Sequence, residues 1–555
     1  MKRVLLGIAL IAVIGAVSFF AVGGREGALL LYVKHFLRQE ASPTQPVAWK
    51  AGPATAPAPA PGAKRRPNIV VIVADDLGSN DISFYGGGVA DGAVPTPNID
   101  SIARNGVNFA SGYAGNATCS PSRAAMMTGR YATRFGFEFT SVPISFARVV
   151  GGHAAPDALR PVIYHAERES AMPSYEQLGV PPSEITIAKL LRGAGYRTLH
   201  LGKWHLGEAA PFRPNAAGFD DSLGFYAAAS MYLPEDDPGV VNSRQAFDPI
   251  DRFLWAAHPF HVRFNGSEPF KPARYMTDYL TDEAIKAIAA NRHRPFFLYL
   301  AYNAPHTPLQ AAKADYDALA QIKDPTLRVY AAMIRALDRS VGRVLEALKA
   351  QGLADDTLVV FTSDNGGAHY VGLDDLNKPY RGWKATFFEG GVHVPFFMSW
   401  PGTLPRGVTY DQPVSHFDIF ATAAGAAGVA VPADRAIDGV DLVPFVTGAR
   451  GSRPHDALFW RSGPYRVVQA GNWKLQLTER PLQDWLYDLK ADPGEKNNLA
   501  AAQPAKVQEL KALLAAWEKE QAAPLWPALI EAPVTLDKPL NRPQAKDDAY
   551  VYWSN

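Results

Sequence analysis

Residues 68–78 read NIVVIVADDLG, and this stretch decides the fold. The six residues 69–74 are all apolar and mostly β-branched, a pattern typical of a strand buried on both faces of a parallel sheet. Two carboxylates, Asp75 and Asp76, follow directly. Because open α/β sheets bind ligands at the carboxyl ends of their strands, the stretch predicts a central strand with a polar site at its end.

Three further apolar runs end in polar residues in the same way. They are residues 197–201 before GKWH, 296–301 before YNAPH and 357–362 before SDNGG. Between them, residues 329–348 carry an apolar stripe at helical spacing. This alternation predicts an α/β fold with a large, mostly parallel sheet sandwiched by helices.

The sequence pattern of the chain changes after about residue 450. Short strand-like runs separated by turn residues precede a helical pattern from about 504 to 521, which predicts a small α+β subdomain with an antiparallel sheet. We therefore expect a catalytic domain at 67–453, a C-terminal subdomain at 454–526 and a surface tail at 527–555.

The N-terminal region has the pattern of an exported protein. Lys2 and Arg3 precede nineteen uncharged residues, 4–22, so residues 1–24 are a secretory signal peptide or a short membrane anchor. The basic residues favour an amino terminus left in the cytoplasm, with everything after the apolar run exported to the periplasm or the extracellular side.

The stretch of residues 42–67 is rich in proline and alanine, and it marks residues 25–66 as a linker. If it is extended, ~3 Å per residue would hold the catalytic domain ~70–80 Å from a membrane. A disordered spacer left after signal cleavage is the equally supported alternative.

The overall composition is that of a globular protein, with 47% hydrophobic residues, 20% charged residues and a net charge of +1. This near-neutral balance gives no reason to expect a nucleic-acid partner. The single cysteine, Cys119, excludes an intrachain disulfide.

Two strand ends carry oxygen ligands, Asp75-Asp76 and Asp364-Asn365. Each pair alone would be interpreted as a helix cap or a solvated turn. Taken together, adjacent carboxylates repel each other unless a cation lies between them. Three carboxylates and an amide carbonyl suit calcium or magnesium better than zinc.

Three basic residues, Arg123, Lys203 and Lys384, are candidates for binding an anionic ester. A divalent ion would leave the three carboxylates at about −1, and the basic residues would reverse that sign. Arginine can clamp oxygens bidentately, whereas lysine acts as a point charge. Such complementarity is usually the largest contribution to transfer of a sulfuryl or phosphoryl group.

Histidines His205 and His306 are the candidate proton carriers. Each lies directly after a predicted strand, and histidine titrates near working pH. His200 and His369 lie near the same strand ends and are weaker candidates.

Cys119 opens the pentapeptide CSPSR, and the motifs around it recur in a known order along residues 66–500. The chain resembles a type I, formylglycine-dependent sulfatase, arylsulfatase-like, of the alkaline-phosphatase-like superfamily. The matching stretches are 67–78, 119–123 with 128–130, 195–207, 218–220, 304–306, 363–367, 384 with 389–391, and 487–489.

The resemblance implies that a formylglycine-generating enzyme oxidises Cys119 to formylglycine, whose hydrate attacks sulfur. It implies that calcium is held by Asp75, Asp76, Asp364, Asn365 and residue 119. Arg123 and His205 would hold and deprotonate the diol, Lys203 and Lys384 would bind sulfate oxygens, and His306 would protonate the leaving alcohol. The implied substrate is a sulfate monoester of an aryl alcohol, small molecule or glycan.

Two other functions remain open at this point. A phosphonate or phosphate monoester hydrolase resembles the same machinery, and a catalytically dead, membrane-tethered binding protein would keep the fold. Segments 137–182 and 227–271 match no motif, and their aromatic residues either face the substrate or pack at the surface. Trp383 is a further candidate for the substrate pocket.

Overall fold

A computed structural model describes residues 24–55, 65–152 and 158–555. The apolar run 4–22 lies outside these residues, and so does the prediction of a signal peptide or anchor made on it. Among the residues that are described, none of the helices is long and apolar enough to cross a membrane.

A nine-stranded sheet forms the centre of the molecule. Strand β1 (Asn68–Ala74) lies in the middle of this sheet and pairs in parallel with β9 (Phe296–Ala301) and β11 (Thr357–Ser363). In spatial order the strands are β13 (Val408–Tyr410), β2 (Val107–Phe109), β12 (Phe396–Ser399), β11 (Thr357–Ser363), β1 (Asn68–Ala74), β9 (Phe296–Ala301), β5 (Arg197–Lys203), β6 (Asp221–Phe225) and β8 (Arg263–Phe264). Most neighbouring pairs are parallel, which confirms the predicted sheet.

Helices cover both faces of this sheet, as predicted. Val70 and Ile72 of β1 pack in one apolar cluster with the helices Pro97–Arg104, Met276–Asn291 and Pro325–Ala350. Val71 and Val73 face the opposite cluster, with the helices Cys119–Thr128, Ile187–Gly193 and Asp418–Ala427. The alternation of side chains along a strand therefore buries β1 on both sides.

The C-terminal subdomain has the predicted antiparallel sheet. Its strands are β15 (Ala457–Ser462), β16 (Tyr465–Ala470), β17 (Trp473–Glu479) and β18 (Leu482–Asp488). The helix that follows spans Pro504–Glu518, three residues shorter than its sequence pattern.

The catalytic domain also contains two small two-stranded sheets. They pair β3 (Gly112–Tyr113) with β14 (Val414–Ser415) and β7 (Val240–Ser243) with β10 (Leu309–Ala312). Its other helices are Ile144–Gly152, Pro249–Ala257, Lys313–Asp317, Glu389–Val392 and Val443–Val446.

Residues 527–555 differ from the predicted surface tail. They form β19 (Ile530–Thr535) and β20 (Tyr550–Ser554), which make a three-stranded sheet with β4 (Ile163–Tyr164). Ile530, Val534 and Val551 are almost fully buried. Burying this apolar surface is what holds the segment against the catalytic domain.

Residues 24–52 differ from an extended linker. The helix Gly24–Tyr32 and the turn Val33–Leu37 pack on the helices Ile144–Gly152 and Pro249–Ala257. Further along, the Trp49 indole N–H donates to Glu283 at 2.8 Å. Because these apolar and aromatic side chains find partners, this part of the segment lies along the domain surface and not away from it.

Candidate active site

Four strands of the sheet bring the predicted site residues to one edge. β1, β5, β9 and β11 are parallel, so their carboxyl ends lie together. Asp75 follows β1, Lys203 ends β5, His306 follows β9 and Asp364 follows β11. All ten predicted site residues are buried. They are Asp75, Asp76, Cys119, Arg123, Lys203, His205, His306, Asp364, Asn365 and Lys384.

The oxygen ligands from two strands contact one another directly. The Asp76 backbone N–H donates to Asp364 Oδ1 at 3.1 Å, and Asn365 Nδ2 donates to Asp76 Oδ1 at 2.7 Å. Asp76 adopts a left-handed backbone with φ of 61°. Such a conformation is costly for a non-glycine residue, and it is held here by these contacts.

Cys119 begins a buried helix beside these carboxylates. Its Sγ lies 3.7 Å from Asp75 Oδ1 and 3.8 Å from Asp76 Oδ1. Burial raises the pKa of the thiol to about 12, opposed by Lys203 and Lys384. Since the thiolate is the reactive form of cysteine, the unmodified side chain is a poor nucleophile at neutral pH.

The arrangement fits a hard cation. Ligand atoms of Asp75, Asp76, Cys119 and His306 all lie within 4.8 Å of one another. Asn365 Oδ1 is buried without a hydrogen-bond partner among the described residues. A buried carbonyl oxygen without a partner is costly unless something binds it, and carboxylate and amide oxygens are the ligands that calcium prefers.

Each carboxylate is paired with a basic side chain. Lys203 Nζ lies 2.8 Å from Asp75 Oδ2, and Lys384 Nζ lies 2.8 Å from Asp76. Arg123 contacts Asp364 Oδ2 through Nε at 2.9 Å and through its second terminal nitrogen at 2.8 Å. Three carboxylates thus face three cationic groups, so a divalent cation would give the site a net positive charge suited to an anionic ester.

Burial and these ion pairs act in opposite directions on the carboxylates. Burial raises the pKa of Asp75 to about 7, although Lys203 opposes it. For Asp364, burial also acts to raise the pKa, but Arg123 and Lys203 outweigh it and the pKa falls below its usual range.

Both predicted proton carriers are neutral imidazoles. Burial lowers the pKa of His205 far below its usual value and that of His306 to about 3. His205 Nε2 donates to the Ser141 carbonyl at 3.0 Å, which leaves Nδ1 free of a partner within the described structure. His306 Nδ1 donates to the Thr307 carbonyl, so Nε2, 3.2 Å from Lys384 Nζ, is the basic atom.

The weaker histidine candidates have different positions. His200 is buried among Trp204, Phe219 and Tyr299 and bonds to Ser222 Oγ, so it packs and does not reach the site. His369 lines the cavity above the site.

Tyr370 was not predicted from the sequence, yet its hydroxyl lies inside the site. It donates to Asp76 Oδ2 at 3.1 Å and accepts from Lys384 Nζ at 3.0 Å. Its position five residues after Asn365, in the loop that leaves β11, is the signal that could have found it.

A cavity of about 350 Å³ opens above Cys119, His205, His306 and Lys384. Its walls come from residues 140–150, 158–162 and 228–254, within the two segments that matched no motif, and from residues 532–553, within the predicted tail. These segments thus form the walls of the pocket next to the candidate catalytic residues. Trp383, which the sequence suggested for the pocket, is not among the residues that line it.

The fold and the site define a class of protein: a hydrolase of anionic esters that has an α/β fold and a buried cluster of carboxylate and amide oxygens. Comparison with known proteins narrows it. The family model described as Sulfatase matches residues 67–429, and a model described as N-sulphoglucosamine sulphohydrolase, C-terminal, matches residues 381–520. The chain belongs to the sulfatase family and is a sulfuric ester hydrolase of the alkaline-phosphatase-like fold.

Individual relatives agree with this assignment. The chain is 34% identical to pig N-acetylgalactosamine-6-sulfatase over 421 residues, covering 74% of this chain and 72% of the relative. It is 33% identical to mouse steryl-sulfatase over 489 residues, covering 75% and 70%. A crystal structure of Ps i-CgsB in complex with a neocarrahexaose superimposes with a TM-score of 0.69 at 32% identity, covering 83% of this chain and 95% of that one.

Proposed function

We propose that this sulfatase hydrolyses a sulfate monoester with residue 119 as the nucleophile, after Cys119 has been oxidised to formylglycine by a formylglycine-generating enzyme. One observation carries the proposal: Cys119, which opens the CSPSR motif, lines the base of the cavity with its Sγ 3.7 Å from Asp75 Oδ1 and 3.8 Å from Asp76 Oδ1. A hydrated aldehyde at this position would place one hydroxyl for attack on sulfur and keep a second for release of the sulfate.

The metal in this proposal is calcium, held by Asp75, Asp76, Asp364, Asn365 and residue 119. The unpartnered Asn365 Oδ1 and the convergence of carboxylate oxygens support it. When bound, the ion supplies positive charge that stabilises an oxyanion.

Three basic residues orient the ester in this proposal. Lys203, at the end of β5, and Lys384, in the loop before the helix Glu389–Val392, bind sulfate oxygens, while Arg123 bonds to Asp364 and holds the base of the site. Their contacts are buried, so charge interactions with a bound anion are little screened by water.

The two histidines handle protons at separate positions. His205, beside Ser141, takes the proton from the attacking hydroxyl through its free Nδ1. His306 presents Nε2 next to Lys384 and protonates the leaving alcohol once it has itself been charged.

The alcohol part of the substrate comes from one of two classes suggested by the relatives, carbohydrate or aryl and steryl alcohols. We further propose that the protein works outside the cytoplasm. The basic residues before the run 4–22 support export, and exposed Leu31, Tyr32, Phe36 and Leu37 would suit contact with a membrane.

The experiment that tests the function uses protein coexpressed with a formylglycine-generating enzyme. Mass spectrometry of the peptide around residue 119 should show the aldehyde, and 4-nitrophenyl sulfate should be hydrolysed faster than its phosphate and phosphonate counterparts. Cys119→Ala should abolish turnover. Dominant phosphonate turnover would establish the rival hydrolase, whereas modified protein without any turnover would favour the dead binding protein.

A further inference from the structure

The cavity above residue 119 differs in character between its base and its walls. The base holds the charged and polar groups of the active site, whereas the walls are mainly aliphatic and aromatic. Side chains that form these walls include Val142, Phe146, Val150, Leu254, Leu540 and Trp553.

Most polar groups at the walls already have partners. The Arg160 guanidinium donates to the carbonyls of Ala545, Lys546 and Asp548 at 2.9–3.1 Å. The Asp248 carboxylate accepts the backbone N–H groups of Ile250 and Asp251 at 3.0 and 2.8 Å. These contacts hold both side chains against the walls and use part of their hydrogen-bonding capacity.

Among the described residues of the walls, Thr140 Oγ1 and His369 Nδ1 are fully buried without a partner, and the Gln544 side chain also lines the cavity. Burial lowers the pKa of His369 to about 4, so its ring is neutral. These few polar groups are outnumbered by the apolar side chains of the walls, so most of a bound leaving group would contact hydrocarbon.

We propose that the leaving group of the substrate is a mainly apolar, ring-containing alcohol, and not a sugar. This inference rests on the proposed function and chooses between the two classes of alcohol. A hydroxyl buried without a partner forfeits its hydrogen bonds to water, and the apolar walls offer no replacement. The size is consistent, because a cavity of 150 Å³ holds benzene and about 350 Å³ leaves room for more than one ring.

A matched pair of substrates tests the proposal. Cyclohexylmethyl sulfate and galactose 6-sulfate both carry a primary sulfate ester on a six-membered ring, and they differ in the hydroxyls and the ring oxygen. Because an apolar pocket disfavours even one added hydroxyl by about 100-fold, we expect kcat/KM for the cyclohexyl ester to be at least ~100-fold higher. N-acetylgalactosamine 6-sulfate and glucosamine 6-sulfate serve as two further sugar substrates in this comparison.

A variant of the wall provides the second measurement. Leu540 is half-buried at the cavity, and Leu540→Asn keeps its size while adding an amide. We expect kcat/KM for cyclohexylmethyl sulfate to fall about 10-fold and that for galactose 6-sulfate to stay level or rise. Leu482→Asn is the control, since Leu482 is 88% exposed and lies away from the cavity lining.

The outcomes separate this inference from the proposed function. Turnover of a sugar sulfate equal to or faster than that of the cyclohexyl ester would leave the sulfatase function intact and overturn the apolar leaving group. Equal losses on both esters in Leu540→Asn would also overturn it. Failure of modified protein to hydrolyse any sulfate, with phosphonate turnover, would remove the proposed function itself.

Discussion

At the scale of single residues, the site depends on atoms that lack a protein partner. Asn365 Oδ1 is buried and unpaired within the described structure, while its amide nitrogen is bound to Asp76 and Gly366. His205 Nδ1 is likewise buried without a hydrogen-bond partner within the described structure. Such atoms are costly in a folded protein, and these two lie beside Asp76 and in the lining of the cavity, where a bound ligand would pair with them.

The first prediction concerns the carbonyl of Asn365. Asn365→Leu keeps the size of the side chain and removes the oxygen, so calcium affinity should fall at least ~10-fold, measured by isothermal titration calorimetry of the protein. Asn497→Leu, at an exposed loop position, is the matched control. Unchanged calcium affinity in Asn365→Leu would show that this oxygen is not a ligand.

The second prediction concerns the proton given to the leaving alcohol. In His306→Gln, kcat for an alkyl sulfate should fall ~10²–10⁴-fold, because the departing alkoxide needs a proton. For 4-nitrophenyl sulfate, whose leaving group is stable as an anion, the fall should be much smaller. His35→Gln, at an exposed position, is the control, and equal losses on both esters in His306→Gln would contradict the assigned role.

At the scale of elements, the C-terminal sheet is joined to the catalytic domain by buried charges. Lys474 on β17 lies 2.7 Å from Glu389, which opens the helix Glu389–Val392, and 3.2 Å from Glu495 in the loop after β18. All three are buried. Burial acts to raise the pKa of Glu389, but Lys474 outweighs it and lowers that pKa to about 2, so this carboxylate stays charged and needs its partner.

The third prediction follows from this cluster. Lys474→Met removes the cation and leaves buried carboxylates, which should lower the free energy of unfolding by about 3–5 kcal/mol. Denaturant titration followed by tryptophan fluorescence measures it, with Lys496→Met at an exposed position as the control. A loss no larger than the control's would show that the cluster does not stabilise the contact between sheet and domain.

At the scale of the whole molecule, the active site is completed by chain segments far apart in sequence. The Thr140 backbone N–H donates to Asn555 Oδ1 at 2.6 Å, and the neighbouring Ser141 carbonyl accepts from His205. Ser141 N–H in turn donates to Ser120 Oγ, next to Cys119. The segment 527–555 therefore supports the loop that holds a catalytic base in the proposed function.

The fourth prediction tests this long-range support. In Asn555→Ala, loss of one buried hydrogen bond worth ~1 kcal/mol should loosen the 140–141 loop and lower kcat about 5-fold, with a smaller change in KM. Steady-state kinetics with 4-nitrophenyl sulfate measure it. Asn541→Ala, an exposed change in the same segment, should have no such effect, and kcat values equal in both variants would rule out the support.

Much of the fold could be predicted because its signals are local. The apolar run of β1 and the helical stripe of residues 329–348 reflect burial on periodic elements, which neighbouring residues encode. The predictions of a surface tail at 527–555 and of an extended linker at 25–52 were wrong because the contacts that order these segments are not local. Ile530 and Trp49 lie in proline-rich surroundings in the sequence, and only a distant surface makes their burial favourable.

The sequence by itself determined the chemistry of this protein. Asp75, Lys203, His306 and Asp364 stand at or after strand ends, and parallel strands bring their carboxyl ends together whatever the loops do. The tertiary structure alone decided what surrounds that chemistry: the place of Tyr370, the unpartnered oxygen of Asn365 and the apolar walls of the cavity. The cavity walls arise where residues 140–150, 158–162, 228–254 and 532–553 meet, and packing between distant segments leaves no periodic mark along the chain.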